Sequence, residues 1–240
     1  MKISILIKIL AVFTMRVNIW QVYFSPETEK NCSKEWNLYD NSRSLTEFFE
    51  NSVIRHLINR GEHKKGYFGV FSHDVNESVP FKEKGLSFNP HNLEKVVREY
   101  DCDIYAFCKR RKQENIVRQA EMYHVGIIAM FERILEELGL SIPNKLEKIV
   151  LFNLMVAKES FWEGYTKELL FPAMDILKGM PEAYEDSGYE NLIHRKDETR
   201  PERFMKAFGK PHWPYHPFIL ERLPSIYLHY HPEFTFKQIF

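Results

Sequence analysis

Two acidic residues one position apart, Asp101 and Asp103, form the shortest motif of the chain with a chemistry of its own. Carboxylate oxygens are the ligands that Mg²⁺ and Mn²⁺ prefer, and a cation held in this way can bind a diphosphate. Such a pair normally follows a hydrophobic strand, whereas here the strand-like run IYAF comes after the acids. The motif therefore predicts a Mg²⁺ or Mn²⁺ site, with a turn between a helix and a strand as the alternative.

A basic run, Lys109-Arg110-Arg111-Lys112, comes directly after the same strand-like run. Ligands of open α/β sheets bind beyond the carboxyl ends of the strands. Cationic side chains at that place can pair with phosphate oxygens. We therefore predict that Lys109, Arg110 and Arg111 bind the diphosphate of a ligand. A solvated basic turn is the alternative.

The segment RQAEMYHVG places Tyr123 and His124 close to the apolar stripe of a predicted helix. A histidine within hydrogen-bond reach of a hydroxyl group can remove its proton as a general base. We predict this catalytic role for His124, and a contact with the hydroxyl-bearing substrate for Tyr123. A histidine that is hydrogen-bonded within the core is the alternative.

Polar side chains also interrupt two apolar runs nearer the carboxyl terminus. Glu221 and Arg222 lie in PYHPFILERLPSIYL, and charges in an apolar setting need a partner. Glu221 is therefore either a second candidate base or half of a structural ion pair. Asn153 lies in VLFNLMVA, where its amide must bond to a ligand or to backbone.

Several classes of ligand are not expected. The chain has neither GxGxxG nor GxxxxGK[ST], which argues against NAD and against a P-loop nucleotide. Lysine plus arginine and aspartate plus glutamate both number 33, without the basic excess of a nucleic-acid binder. His212 and His216 are four residues apart, but Pro214 and Pro217 prevent the helix that would align them, so zinc is not expected.

Runs rich in branched and aromatic residues alternate with stretches of helical periodicity. This alternation is typical of an α/β fold with a mainly parallel sheet flanked by helices, and we expect a single such domain over residues 15–240. The predicted strands are Val17–Phe24, Tyr67–Phe71, Asp103–Phe107 and Lys148–Ala157. The predicted helices begin at capping boxes at Ser44 and Ser160, at Asn89-Pro90, and near Glu114, from which one helix runs unbroken to Leu138. Residues 182–203 are predicted to form a loop.

Residues 1–14 are apolar but are interrupted by Lys8, and they are too short for a transmembrane helix of about 20 residues. We expect an appendage or an extra strand, with a signal peptide or a true start at Met15 as alternatives. Three cysteines without a CxxC motif fit a reducing compartment. The expected location is cytoplasmic, and the apolar segment leaves a peripheral membrane contact open.

The segments FNLMVAKESFWEGYTKELLFPAMDIL and PYHPFILERLPSIYL, together with RQAEMYHVG, resemble glycosyltransferase-like proteins of bacterial surface-polysaccharide biosynthesis loci. The resemblance covers Val17 to His231. It implies a Rossmann-like, GT-A-like fold that moves a sugar from a nucleotide-sugar donor to a glycan or lipid-linked glycan acceptor. The positions that it carries over are Tyr123, His124, Asn153, Lys158, Glu221 and Arg222.

On the hypothesis of a sugar transferase, the candidate residues from the motifs and from the resemblance take different roles. His124 and Glu221 are the candidate bases. Lys109, Arg110, Arg111, Asn153 and Lys158 would bind the donor, and Tyr123, His216 and Arg222 would lie on the acceptor side. Asp101 and Asp103 would hold Mn²⁺ or Mg²⁺, although their position before the strand departs from the order of an Asp-x-Asp metal motif.

Two other functions stay open at this point. The missing strand-then-acid order favours a non-catalytic carbohydrate-binding or scaffold protein on the same fold. A metal-dependent hydrolase is the other alternative, with Asp101, Asp103 and Glu221 on one metal ion. It requires these three carboxylates to lie close together.

Overall fold

The computed structural model describes residues 16–75, 89–108, 115–189 and 200–239. The predictions for residues 1–14 and for Lys109, Arg110 and Arg111 fall outside these described residues. The described chain builds one sheet of six strands. They are β1 (Val17–Tyr23), β2 (Asn37–Asp40), β3 (Tyr67–Ser72), β4 (Ile104–Ala106), β5 (Met155–Ala157) and β6 (Phe236–Gln238).

The sheet is mixed and mostly parallel, with the strand order β2-β1-β3-β5-β4-β6. β1 is parallel to β2 and β3, and β4 is parallel to β6. β5 runs antiparallel to both of its neighbours. The other strands therefore all end at one edge of the sheet, the carboxyl edge, where β5 begins. The predicted α/β fold is confirmed, whereas β2, β6 and the reversed β5 have no counterpart in the sequence prediction.

Helices cover both faces of the sheet. Successive residues of a strand point to opposite faces; Phe68 and Val70 of β3 therefore join a larger core, while Tyr67 and Phe71 join a smaller one. The α-helices are α1 (Pro26–Glu29), α2 (Glu50–Asn59), α3 (Pro90–Tyr100), α4 (Ile116–Glu121), α5 (Ile127–Glu137), α6 (Glu159–Tyr165), α7 (Phe171–Lys178), α8 (Arg200–Phe208), α9 (His216–Leu220) and α10 (Leu223–Tyr230). Within the described ranges, no helix has the length and apolar character needed to cross a membrane.

The prediction of one unbroken helix from 114 to 138 is wrong, because the chain turns between α4 and α5. The carboxylate of Glu121 accepts hydrogen bonds from the backbone N–H groups of Gly126 (2.7 Å) and Ile128 (2.9 Å). Gly126 has φ 92°, in the region that favours glycine. An acidic side chain on the first N–H groups of α5 stabilises a new helix start. The turn removes Tyr123 and His124 from helical backbone.

The predicted strand Lys148–Ala157 is wrong over most of its length, because only Met155–Ala157 pairs in the sheet. Phe152 and Asn153 have φ 57° and 52° and form a left-handed turn just before β5. The residues before this turn, Ile149, Val150 and Leu151, are still buried in the larger core. An apolar run indicates that a segment is buried but does not distinguish a strand from a loop. Here the buried segment is a loop that packs against the core.

Helix starts were predicted with mixed success. Asn89 caps α3 as predicted, since its side chain accepts a hydrogen bond from the N–H of Asn92 at 2.9 Å. The capping boxes at Ser44 and Ser160 are wrong: α2 begins after Phe49 and α6 after Lys158, and neither start has a side-chain cap. Polar residues at capping spacing therefore do not decide these starts, which follow the packing of the helices on the sheet.

Candidate functional site

A cleft of about 850 Å³ opens at the carboxyl edge of the sheet. Its floor is formed by the residues that follow β1 and β3 and by the left-handed turn that precedes β5. The turn between α4 and α5, helix α8 and the segment around α9 contribute its walls. A volume of this size is typical of small-molecule sites, and the carboxyl edge is where open α/β sheets bind ligands.

Five residues singled out from the sequence line this cleft together. They are Tyr123, His124, Asn153, Glu221 and Arg222. They come from three segments that are far apart in the chain, and the turn after α4, the turn before β5 and the end of α9 bring them to the same place. Of the predicted site residues that the structure describes, these five form one group.

The acidic pair Asp101 and Asp103 lies at the opposite edge, before β4, together with Lys158 after β5. The Lys158 ammonium is 3.3 Å from an oxygen of Asp101 and 3.1 Å from one of Asp103. Burial alone would raise the pKa of Asp103, but hydrogen bonds from Thr235 and Lys158 outweigh it and lower that pKa. The structure thus places Lys158 beside the carboxylates, as their counterion, and away from the cleft.

His216, predicted on the acceptor side, lies in the core between the rings of Phe48 and Tyr184. Its side chain is 0% exposed, and it does not line the cleft. Burial lowers the pKa of His216 to about 4, although the carbonyls of Ala183 and Leu177 oppose this change. Neither ring nitrogen has a hydrogen bond of good geometry to a described residue. The prediction that His216 lies on the acceptor side of a site is therefore not supported by its position, because the ring packs in the core while the next residue, Pro217, lines the cleft.

His124 is held in the geometry that a general base requires. Its Nδ1 is 3.0 Å from the carbonyl oxygen of Ser187, and since a carbonyl only accepts, Nδ1 carries the proton. Nε2 therefore keeps its lone pair. The ring stacks on Phe218 with centroids 4.0 Å apart. Burial lowers the pKa of His124 and Arg222 adds to this effect, while the bond to Ser187 opposes it. The imidazole is thus neutral at neutral pH.

Glu221 and Arg222 form a buried ion pair at the inner wall. The guanidinium donates to the Glu221 carboxylate and to the backbone carbonyls of Ile116 (3.2 Å) and Phe218. Glu221 is 9% exposed and Arg222 is 5% exposed. Buried charges need such a network, because an unpaired ion in the interior is strongly unfavourable. The Glu221 carboxylate is thus bonded to a neighbouring cation, as in a structural ion pair.

Two carboxylates that the sequence reasoning missed, Glu50 and Asp74, also line the cleft. Burial raises the pKa of Glu50 to about 7, and the negative charges of Asp74 and Glu221 add to the effect. The side chain of Glu50 is half-buried, and the walls of the cleft remove part of the water around its carboxyl group. Asp74 had a sequence signal, since it comes two residues after the hydrophobic strand β3. That is the strand-then-acid order that Asp101 and Asp103 lack.

Backbone strain is concentrated at the cleft. Among the described residues, four that are not glycine have positive φ: Phe49, Asp101, Phe152 and Asn153. All except Asp101 line the cleft. Such conformations cost about 1–3 kcal/mol each and are retained mostly at functional sites. Their clustering supports the cleft as the functional site independently of its volume and its charges.

The outer wall combines cations with aromatic rings. Arg200 and Arg203 of α8 line the cleft. The Arg200 guanidinium lies 5.5 Å from the ring centre of Trp213, and Trp213 stacks on Phe49 with centroids 4.8 Å apart. The sequence analysis predicted a loop as far as residue 203, so it missed α8 and both arginines. Phe204, Ala207 and Phe208 of α8 do recur at helical spacing, but only Phe204 among the helix residues is buried.

A second polar cluster lies at the opposite edge of the sheet. His63, Glu159 and Glu163 each place one potential metal-ligand atom within 4.8 Å of the others, and no other such group occurs in the described part of the chain. The Lys64 ammonium is 3.2 Å from Glu163 and 3.8 Å from Glu159. A protein cation therefore already neutralises this cluster.

No family model, curated protein or solved structure matches the chain. The likeness to glycosyltransferase-like proteins thus depends on the sequence motifs alone.

Proposed function

We propose that the protein transfers a sugar from a nucleotide-sugar donor to a glycan acceptor, and that the cleft at the carboxyl edge is its active site. The observation that carries the proposal is the convergence of Tyr123, His124, Asn153, Glu221 and Arg222 on that cleft. These residues were chosen from motifs scattered along the chain.

The donor diphosphate would lie between the cations of the outer wall and the carboxylates of the floor. Arg200 and Arg203 offer guanidinium groups, which suit phosphate oxygens. Asp74 and Glu50 provide oxygen atoms for a Mg²⁺ or Mn²⁺ ion, which is the cofactor proposed here in place of one at Asp101 and Asp103. When bound, such an ion would neutralise the charge that develops on the departing diphosphate.

The acceptor hydroxyl would give its proton to Nε2 of His124. The hydrogen bond from Nδ1 to Ser187 fixes the tautomer that leaves Nε2 as the acceptor. Burial lowers the pKa of His124 and the charge of Arg222 adds to this effect, so the imidazole is neutral and can accept a proton. As the transition state is oxocarbenium-like, the protein would act chiefly by stabilising the leaving diphosphate.

The structure bears differently on the two alternative functions, the metal-dependent hydrolase and the carbohydrate-binding protein. A hydrolase with Asp101, Asp103 and Glu221 on one metal is not proposed, because the first two precede β4 at one edge of the sheet and Glu221 lines the cleft at the other. A carbohydrate-binding protein without catalysis is the second candidate. One observation favours this second candidate. Among the described residues, the carboxylates of the cleft do not form a group of three whose oxygen atoms lie within 4.8 Å of one another, as a preformed metal site would.

The test is a transfer assay with a panel of nucleotide-sugars and hexose oligomers as acceptors, followed by mass spectrometry of the products. We expect one donor to extend one acceptor by a sugar. Asp74→Asn is expected to abolish transfer, whereas Glu136→Gln, which removes a charge from the exposed side of α5, is the matched control. Glycan binding without transfer by the folded protein would favour the second candidate.

A further inference from the structure

Phe152 is exposed at the mouth of the cleft in a doubly unfavourable state. It is 52% exposed, which leaves half of a large apolar ring in water. Its φ of 57° lies in the left-handed region, where a bulky side chain is a genuine outlier. An exposed apolar ring alone needs no explanation. A strained backbone that holds the ring in solvent is different, since it does not improve the packing of the fold.

Two other residues of the cleft carry an aromatic ring and a polar group. Tyr123, which is 42% exposed, lines the same cleft and presents a second ring. Asn153, the next residue after Phe152, is 8% exposed. Its Nδ2 is 3.4 Å from Oδ1 of Asn51, while its own Oδ1 has no hydrogen bond to any described residue. A buried acceptor without a donor is unfavourable, and a ligand hydroxyl would satisfy it.

We propose that Phe152, Tyr123 and Asn153 form the subsite that binds the acceptor glycan. A sugar ring has an apolar C–H face that can pack on an aromatic ring and a rim of hydroxyl groups that can donate to Oδ1 of Asn153. Both rings are exposed to solvent, which suits the acceptor glycan better than the nucleobase of the donor. A growing glycan must extend out of the site into solvent, whereas a nucleobase is best bound where both of its faces are covered.

This inference rests on the proposed function, because it divides the same cleft into a donor part and an acceptor part. Phe152 lies in the turn before β5, and its side chain has no charged or polar group that could bind a diphosphate. The donor's diphosphate part has its own residues, Arg200, Arg203 and Asp74. Loss of the Phe152 ring should therefore weaken glycan binding and leave donor binding intact.

The experiment compares the full-length protein with Phe152→Ser and Phe152→Trp, with Met122→Ser as the control. Met122 is 69% exposed on the same turn as Tyr123 but does not line the cleft. The probes are hexose oligomers of three to six units and a panel of nucleotide-sugars, with affinities measured by calorimetry. We expect Phe152→Ser to weaken oligomer binding about tenfold, which corresponds to about 1.4 kcal/mol. Donor affinity and the Met122→Ser protein are expected to be unchanged.

Phe152→Trp keeps an aromatic face, so it should restore oligomer affinity. Its added indole fluorescence, taken as the difference from wild type, should shift when the oligomer binds. Equal oligomer affinity of wild type and Phe152→Ser, or no oligomer binding by wild type, overturns the inference. A loss of donor affinity in Phe152→Ser also overturns it, because the ring would then serve the nucleobase. Oligomer binding that depends on Phe152, in a protein that binds no donor, would support the subsite and contradict the transferase.

Discussion

Replacing Glu50 with glutamine should change how the stability of the protein depends on pH. The surrounding walls and the charges of Asp74 and Glu221 raise the pKa of Glu50 from 4.5 to about 7. A carboxyl group with a raised pKa binds its proton more tightly in the folded state. Its contribution to stability is therefore fully present below about pH 4.5 and is lost as the pH rises through about 7.

The size of the effect follows from that difference in pKa. The interval from 4.5 to about 7, at about 1.36 kcal/mol for each pH unit, gives an upper value of about 3.4 kcal/mol. Because Glu50 is half-buried and keeps some contact with water, we expect roughly 2 kcal/mol at pH 8.5. For a chain of this length, that is a difference in Tm of about 4–8 °C. Glutamine resembles the protonated carboxyl group and carries no charge, so Glu50→Gln should be the more stable protein at high pH.

The assay is thermal unfolding of wild type and Glu50→Gln between pH 4.5 and pH 8.5, with Glu136→Gln as the control. The two Tm curves should lie close together at pH 4.5 and diverge as the pH rises, with the variant above wild type. Glu136→Gln, exposed on α5, should run parallel to wild type. Parallel curves for Glu50→Gln would show that Glu50 ionises normally, and would refute the placement of three mutually repelling carboxylates in the cleft.

Three other substitutions test the remaining parts of the site. Arg222→Met should lower the free energy of unfolding by about 3–5 kcal/mol, because it leaves the Glu221 carboxylate buried beside an apolar side chain; urea unfolding measures this, and a loss below 1 kcal/mol would contradict the buried pair. Lys158→Met should cost about 1 kcal/mol or less, since its pairing with Asp103 is half-exposed, and nucleotide-sugar affinity by calorimetry should not change. His124→Asn keeps a donor for the Ser187 carbonyl and removes Nε2, so kcat for transfer should fall about 10²–10⁴-fold at unchanged donor affinity. A kcat equal to that of wild type would assign the base elsewhere.

The fold class was predictable because the alternation of strands and helices is a local signal. Strands β1, β3 and β4 were found from runs of branched and aromatic residues within one or two residues of their ends. β2 and β6 are short edge strands with little buried apolar surface, so their sequences carry no comparable pattern. The direction of β5 depends on long-range pairing with β3 and β4, which periodicity along the chain cannot reveal.

Site residues were predictable where a polar residue interrupts an apolar run. Asn153 and Glu221 were found in this way, and both line the cleft. His216 lies in the same apolar segment as Glu221 but is enclosed in the core. A polar residue in an apolar run signals burial of a polar group and does not distinguish a cavity from the interior. Asp101 and Asp103 were selected because they are one position apart. Spacing does not tell which edge of the sheet a pair of acids occupies, whereas their position before or after a strand does.

Glu50, Arg200 and Arg203 were missed for a different reason. Each is an ordinary charged residue at or near a helix start, and their sequence context resembles that of a solvated helix. Their importance comes from the walls that surround them. Asp74 is the exception among the missed residues, since its place directly after a buried strand could have been weighted above the spacing of Asp101 and Asp103.

Thermal stabilisation by nucleotide-sugars, with and without Mn²⁺, tests the central claim most directly. A donor at 100 times its dissociation constant adds about 2.7 kcal/mol of stability, which raises Tm by about 5–11 °C for a chain of this size. The account predicts such a rise with one donor, lost in Asp74→Asn and kept in Lys158→Met. A folded protein whose Tm does not change with any donor, in the presence or absence of Mn²⁺, would contradict it.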